Sequence, residues 1–331
     1  MTATSQPPLR VAMVGSGRRA GEQLEAMGRS ARAVPVGFWN RTRQLADQRS
    51  REAGLQRGFA TVTEMIERTS PDVVNIVTHP SARIPLLREA IDAGARVILL
   101  EKPIALTREE LAVVRALGDE AFIAVNTQYW WMSHWRHFWQ VIAEGGIGDI
   151  RSIRVSARAD VLEQGPHLMS LALGAARAAG LALPSWVLAA SAGESSHGDV
   201  VVPADVAAVM DLGEARLQLL AGPSAPWLPD EDNLYYQQQV EITGTKGRIW
   251  SSLTQGWNLW TEHGWSSGTT GWPRDDHQSQ SALFAELARA VRDPSRRDGF
   301  PTSVHRAAEE AEILFAAIES ARGAGRVELP W

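Results

Sequence analysis

Val11-Ala12-Met13-Val14-Gly15-Ser16-Gly17-Arg18-Arg19-Ala20 decides the fold. An apolar run passes directly into G-x-G-x-x-(G/A), the pattern of a strand turning into a helix. Gly15 permits the tight turn, Gly17 lets backbone approach a pyrophosphate, and small Ala20 allows close helix–strand packing. The helix N-terminus that follows offers N–H groups and positive dipole to phosphates. Ser16, Arg18 and Arg19 belong to the same phosphate-binding turn. Glycine turns start many helices, so the motif takes its weight from its surroundings, an opening βαβ pattern near the start of the chain.

Working outward, residues 9–14, 34–39, 72–78, 96–100 and 122–125 read as strands buried on both faces. Amphipathic helical segments lie between them, clearest at 84–93 and 107–117, and Thr107-Arg108-Glu109-Glu110 is a capping-box pattern. Alternating β and α segments predict an α/β fold with a parallel, doubly wound sheet over residues 1–127. The pattern then changes. A tryptophan-rich helical stretch leads to Glu144-Gly145-Gly146-Ile147-Gly148, a glycine-rich helix exit. Runs at 150–157, 204–211, 215–220, 236–243 and 248–252 alternate as strands, and 279–291 and 303–321 read as closing helices. Many strands with few intervening helices predict an α+β domain over 128–331 with a mostly antiparallel sheet. Segments 223–229 and 264–273 read as mobile loops.

The 331 residues suffice for two domains with real cores. A formal charge of -5 gives no basic field for nucleic acid and no attraction to a membrane surface. No apolar stretch approaches a bilayer span, and the polar, proline-bearing start lacks a signal-peptide pattern. The absence of cysteine excludes thiolate chemistry and disulfides and fits a cytoplasmic protein.

The second informative stretch is Glu101-Lys102-Pro103, directly after the apolar run ending at Leu100. It sets a lysine at the carboxyl end of a buried parallel strand, where open α/β sheets bind ligands. A cation beside a nicotinamide site suggests hydride transfer, in which positive charge stabilises the developing alkoxide. The second strand ends at Trp39-Asn40-Arg41-Thr42. An NAD site usually places a carboxylate there for the ribose 2′-hydroxyl, whereas Asn40 and Arg41 would accept a 2′-phosphate. The expected cofactor is therefore NADP in preference to NAD. Thr78 and His79, after the next strand, are placed near the nicotinamide ribose. Asn126, Gln128 and Tyr129, at the last carboxyl end of the sheet, are placed to touch substrate.

In this order and spacing the chain resembles the glucose–fructose oxidoreductase/inositol dehydrogenase/MocA (Gfo/Idh/MocA) family over nearly its whole length. The likeness rests on the glycine turn, Glu101-Lys102-Pro103, Gly145-Gly146-Ile147-Gly148-Asp149-Ile150-Arg151 and Glu163-Gln164-Gly165-Pro166-His167. It continues through Glu241-Ile242-Thr243-Gly244-Thr245-Lys246-Gly247, Glu319-Ser320-Ala321 and Arg326-Val327-Glu328-Leu329. The resemblance implies a Rossmann domain and a C-terminal domain whose open sheet faces the nicotinamide and builds a homodimer or homotetramer. It implies oxidation or reduction of sugars, sugar derivatives or cyclitols. It also implies that His167 exchanges the proton. Glu163 stands at the family's aspartate position; one helical turn before His167, it would orient that histidine or bind a substrate hydroxyl. Arg83 stands where many relatives carry histidine.

His134 and His137 have helical spacing but no accompanying carboxylate or cysteine, so no metal is expected. Trp131, Trp135 and Trp139 recur every four residues and read as core packing. Trp250, Trp257, Trp260, Trp265 and Trp272 suit a subunit interface or a sugar-covering surface. Two other readings stay open: a reductase of a cyclic imine or conjugated double bond on the same scaffold, and a non-catalytic cofactor-sensing regulator. A redox-neutral glycoside-cleaving enzyme is more distant.

Overall fold

The computed structural model describes residues 7–229 and 231–331; the polar start up to Gln6 lies outside the described residues. The chain divides into two compact units. One comprises the chain to Ala105 with Glu109–Trp131 and Asp276–Arg306; the other comprises Leu106–Arg108, Met132–Asp275 and Ala307–Trp331.

The first unit holds a five-stranded parallel sheet of β1 (Leu9–Val14), β2 (Ala33–Trp39), β3 (Val73–Ile76), β4 (Val97–Leu100) and β5 (Phe122–Val125). The order is β2-β1-β3-β4-β5. Every residue of β3 and β4 is buried, as expected for strands covered by helices on both faces. The connections run through α1 (Arg18–Ser30), α2 (Arg43–Glu52), α3 (Val62–Thr69), α4 (Arg83–Asp92) and α5 (Arg108–Glu120). The order reverses at β1, so β1 and β3 form the switch point at whose carboxyl ends doubly wound sheets bind ligands. One buried cluster joins Val11 and Met13, Leu99, Ala20 and Met27 of α1, and Leu283, Phe284 and Leu287 from a helix far along the chain. Trp131 and Phe300 close that cluster, with ring centroids 5.5 Å apart.

The second unit opens with α6 (Ser133–Ala143), β6 (Ile150–Ala157) and α7 (Gly165–Ala178), then β7 (Trp186–His197), β8 (Val200–Leu212) and β9 (Ala215–Ala221). It continues through β10 (Gln238–Gly244), β11 (Arg248–Ser252), β12 (Gly256–Thr261) and β13 (Gly264–Gly268). The last elements of the chain are α8 (Arg274–Arg292), which is the late helix of the first cluster, α9 (Val304–Glu319) and β14 (Val327–Glu328). The nine strands lie in the order β13-β12-β11-β10-β6-β9-β8-β7-β14, antiparallel except where β6 meets β9. Alternation sets the faces: Val206, Ala208, Met210 and Leu212 of β8 are buried while Ala207 and Val209 are exposed. Nearly all of α7 is buried, which its run Leu168-Met169-Ser170-Leu171-Ala172-Leu173 requires.

Three expectations change. Segment 264–273 is not simply a loop, because Gly264–Gly268 pairs with β12. The long strand β7 has no counterpart among the sequence-read strands, because most of it is exposed and lacks apolar alternation; its order comes from the β8 ladder. The tryptophan stripe is also divided. Trp135 and Trp139 of α6 stack at 5.1 Å, whereas Trp131 precedes the helix and belongs to the first unit.

Candidate active site

At the end of β1 the chain must turn sharply before α1. Gly15 does so at φ +116, and a Cβ there would lie 2.1 Å from the Val77 carbonyl oxygen. Only glycine fits both the torsion and the approach. The Gly15 N–H donates to the Trp39 carbonyl at 2.8 Å, which ties the turn to β2. Gly17 is the N-cap of α1, and a Cβ built on it meets nothing within 4 Å. The α1 N-terminus has no side-chain cap, so no capping side chain takes up its first N–H groups, which leaves them suited to an anion. Two buried hydroxyls beside the turn, Ser16 Oγ and Thr78 Oγ1, lack hydrogen-bond partners among the described residues. An open glycine edge, uncapped helix N–H groups and two unengaged hydroxyls together fit a dinucleotide pyrophosphate.

The two arginines of the turn behave differently. Arg18 is exposed and pairs with Glu22. Arg19 points inward: its fork binds Asp276 through two bonds of 2.9 and 3.1 Å, and it also meets Glu22 at 2.8 Å and Glu101 at 3.4 Å. Burial opposes its charge, but attraction to Glu101 and Asp276, with hydrogen bonds to Asp276 and Glu22, raises its pKa above the ordinary arginine value. At the end of β2, Asn40 accepts from the Thr42 N–H at 2.8 Å, forming the turn into α2. Arg43 is held by Asp47 and the Gly58 carbonyl, and Arg49 by Glu52 and the Ser16 carbonyl. Arg41 is exposed and has no ion pair among the described residues.

Glu101-Lys102-Pro103 leaves the end of β4 with a cis Lys102–Pro103 peptide. The Glu101 carboxylate is buried and accepts from Gln23 at 2.6 Å, from Asn126 and from Arg19. Gln23 in turn accepts from Asn75 of β3, and Gln280 of α8 donates to Asn126 at 3.2 Å. Arg83, the first residue of α4, is also buried; it donates to the Pro103 carbonyl and, at 2.7 and 3.1 Å, to the Thr78 carbonyl. Lys102 is half-buried between these anchors, one on each side of it in the chain. Asn126 is fully buried with both ends of its amide engaged, so it holds the turn. His79 is exposed and hydrogen-bonds Ser81 at 2.9 Å. Gln128 and Tyr129 follow on a buried 3-10 turn.

In the second unit, His167 is buried in the first turn of α7. Glu163 is not on that helix: the turn before it is built by Asp160, whose carboxylate accepts from the Leu162 and Glu163 N–H groups, both at 2.9 Å. Pro166 occupies the first helical turn, where a missing N–H is tolerated, so the helix starts at Gly165 and Glu163 falls outside it. Glu163 faces His197, with Oε2 3.9 Å from Nδ1, while Asp160 lies 3.3 Å from the same nitrogen. Burial works against the Asp160 carboxylate, but His197 and the two N–H groups outweigh it and hold it below the usual aspartate range. Asp160 and His197 carried no signal in sequence because 37 positions separate them. No group of three or more potential metal ligands occurs among the described residues.

Residues 9–123 match the oxidoreductase family with an NAD-binding Rossmann fold, Gfo/Idh/MocA. No curated protein matches the chain. An oxidoreductase from Agrobacterium radiobacter, solved with NAD+, L-tartaric acid and magnesium, has 18% identity and a TM-score of 0.78, covering 97% of this chain and 98% of that one. An inositol dehydrogenase homolog from Azotobacter vinelandii, complexed with NADH and myo-inositol, has 15% identity and a TM-score of 0.75, covering 97% and 98%. A levoglucosan dehydrogenase in complex with NADH and levoglucosan has 19% identity and a TM-score of 0.77, covering 98% and 100%. At these identities the structural likeness establishes a shared fold. The family match covers residues 9–123, the part of the chain that carries the glycine turn and all five strands of the parallel sheet, so this part is similar to the NAD-binding Rossmann domain of the Gfo/Idh/MocA oxidoreductases, and the whole chain shares their fold.

Proposed function

We propose that this protein is an oxidoreductase that transfers hydride between a nicotinamide and a secondary alcohol or ketone of a sugar, sugar derivative or cyclitol, with NADP favoured. The observation that carries the reading is Lys102, fixed at the carboxyl edge of the same sheet that presents the glycine turn. Its identity adds weight. The chain has 33 Lys and Arg together, and Lys102 and Lys246 are its only lysines. Lys246 is an exposed cation near Glu262, whereas Lys102 is half-buried at the sheet edge, where a lysine suits a site that must also exchange a proton. The sugar-like substrate class is supported by the myo-inositol and levoglucosan held by proteins of the same fold.

A bound nicotinamide supplies the hydride acceptor or donor. Lys102 polarises the reacting oxygen and stabilises its negative charge. His167 takes or returns the hydroxyl proton, and Glu163 binds a neighbouring hydroxyl. Gln128 and Tyr129 contribute further substrate contacts. Preference for NADP is supported by Asn40 in place of a carboxylate and by the uncommitted Arg41. An oligomer built on the nine-stranded sheet is supported by the exposed Leu188, Val201, Val209, Trp260 and Trp265. A cytoplasmic location is supported by the cysteine-free composition.

The test is a panel of sugars, cyclitols and cyclic imines with each cofactor, run on the native enzyme and on Lys102→Met. Expected are turnover of a polyol or its ketone, and loss of turnover in Lys102→Met with cofactor binding retained. Normal turnover in Lys102→Met sinks the assignment of Lys102, and turnover confined to imines favours the alternative reductase. Arg41→Ala should lower kcat/KM for NADP about tenfold, the loss of one charge-assisted pair. Equal efficiency of the native enzyme with NAD and NADP refutes the preference.

A further inference from the structure

We propose that His197, at the tip of the β7–β8 hairpin, is a positioning residue that holds Glu163, with Asp160 joining the two. The inference rests on the reading of Glu163 as a hydroxyl-binding residue given above. β7 is twelve residues long, about twice a usual strand; Val187 is buried and the rest are half-buried or exposed. A core that β7 covers therefore does not explain its length. The hairpin is nonetheless held from end to end. Its ladder pairs Val187 with Met210 at one end and His197 with Val200 at the other. The turn after α9, Ser320–Ala324, straps it as well. The Ala189 N–H donates to Ser320 Oγ at 2.8 Å, Ser191 Oγ to the Ala321 carbonyl at 3.1 Å and Arg322 to the Val201 carbonyl at 2.5 Å. The hairpin is a braced arm, and it ends on His197.

At the tip, Asp160 uses its two oxygens for different tasks. Oδ1 accepts from the Leu162 and Glu163 N–H groups and so builds the turn that carries Glu163. Oδ2 lies 3.3 Å from His197 Nδ1. A carboxylate only accepts, so Nδ1 is the donor, and that bond orients the ring. The same nitrogen stands 3.9 Å from Glu163 Oε2. One imidazole thus lies against two carboxylates that repel each other, where the His197, Asp160 and Glu163 side chains are 11%, 20% and 26% exposed. Take the imidazole away and the Glu163 carboxylate swings off the Asp160 turn. The arm therefore sets where Glu163 points, although His197 is 34 positions away from it in the chain.

Crystal structures, and kinetics with the polyol that the panel above turns over fastest, read the two parts of this claim. In His197→Ala the Glu163 carboxylate should move by more than about 1 Å or lose its electron density, enough to matter to a bound substrate. Glu163 holds a hydroxyl that does not react, so its misplacement removes binding shared by ground and transition states. KM for the polyol should therefore rise at least tenfold with kcat within threefold of native. The amide nitrogen of His197→Asn stands as many bonds from the backbone as Nδ1. That variant should restore the Glu163 position and bring KM within threefold of native. Ser195→Ala, exposed on the same arm, should change neither. An unmoved Glu163 in His197→Ala overturns the proposal, as does a native KM with Glu163 displaced. A fall in kcat that His197→Asn fails to restore marks a merely structural role and overturns it too. If His197→Ala does not fold, His197→Gln, whose nitrogen lies one bond too far out, decides by the same measurements. Absence of polyol turnover in the native protein would defeat the proposed function and leave the Glu163 position to judge the clamp.

Discussion

Replacing Gly15 and Gly17 by alanine, one at a time, separates folding from cofactor binding at adjacent positions of one turn. At Gly15 the torsion, φ +116, is one that L-residues adopt at a cost of about 1–3 kcal/mol. The new methyl would also sit 2.1 Å from the Val77 oxygen, so the two must part by roughly 1 Å to reach ordinary contact. Val77 donates its own N–H to Val14 at 2.8 Å, and pulling it away endangers that bond, worth a further ~1–3 kcal/mol. The sum is roughly 4 kcal/mol, which lowers the melting temperature by about 8–16 °C for a unit of this size. At Gly17 the torsions are φ -73 and ψ -171 and the methyl meets nothing within 4 Å. The gain from a stiffer unfolded chain and the loss of a good N-cap residue nearly offset each other, leaving stability within about 1 kcal/mol of native. The same methyl occupies the approach a pyrophosphate would use, so NADPH affinity should fall at least tenfold, or about 1.4 kcal/mol. Thermal melting without cofactor and fluorescence titration with NADPH give both quantities. Native-like NADPH affinity in Gly17→Ala refutes the placement of the pyrophosphate, and native-like melting in Gly15→Ala refutes the steric argument.

Two further outcomes test the interior of each unit. Burial pushes the His134 imidazole down to about 4 against the attraction of Asp275, while His134 also contacts Ser251 at 3.3 Å. The unfolded histidine titrates near 6.5, so the unfolded state binds the extra proton between those values. Stability from neutral His134 is therefore complete above about pH 6.5 and is lost progressively, by up to roughly 3 kcal/mol, as pH falls to about 4. Urea midpoints of native protein and His134→Gln across that window should converge on acidification; parallel curves would count against it. Phe284→Ala, in α8, removes a fully buried ring from the Rossmann cluster and should destabilise by about 3–5 kcal/mol in chemical denaturation. A loss below ~1 kcal/mol would mean that α8 does not belong to that core.

What the sequence made legible was what apolar periodicity encodes. The bounds of β1, β5, β6 and β11 agree with their sequence readings to the residue, because each is an apolar or alternating run between polar or glycine-bearing segments. The glycine turn and the Lys102 turn were equally readable, since their chemistry is local. The supports of the site were not. Arg19 meets Glu101 across 82 positions and Asp276 across 257, and no spacing rule reaches that far. Arg83 was visible as a departure from histidine, but its bonds to Thr78 and Pro103 depend on how α4 begins after β3. Spacing alone puts Glu163 one helical turn before His167; the Asp160 turn and Pro166 move the helix start past it. Strand β7 escaped because it is ordered by its partner rather than by its own pattern.

The late arrival of α8 bears on how the protein is made. Translation delivers β1 to β5 first, but Leu283, Phe284 and Leu287, which cover one side of that sheet, follow more than 150 residues later. The counter-carboxylate of Arg19 arrives at the same point, in Asp276. The nascent cofactor half therefore waits, with apolar surface and a buried-to-be guanidinium exposed, until nearly the whole chain has left the ribosome. An N-terminal fragment ending at Trp131 should be a client of chaperones rather than a free-standing dinucleotide-binding domain, and fusion or truncation designs must carry α8 with it.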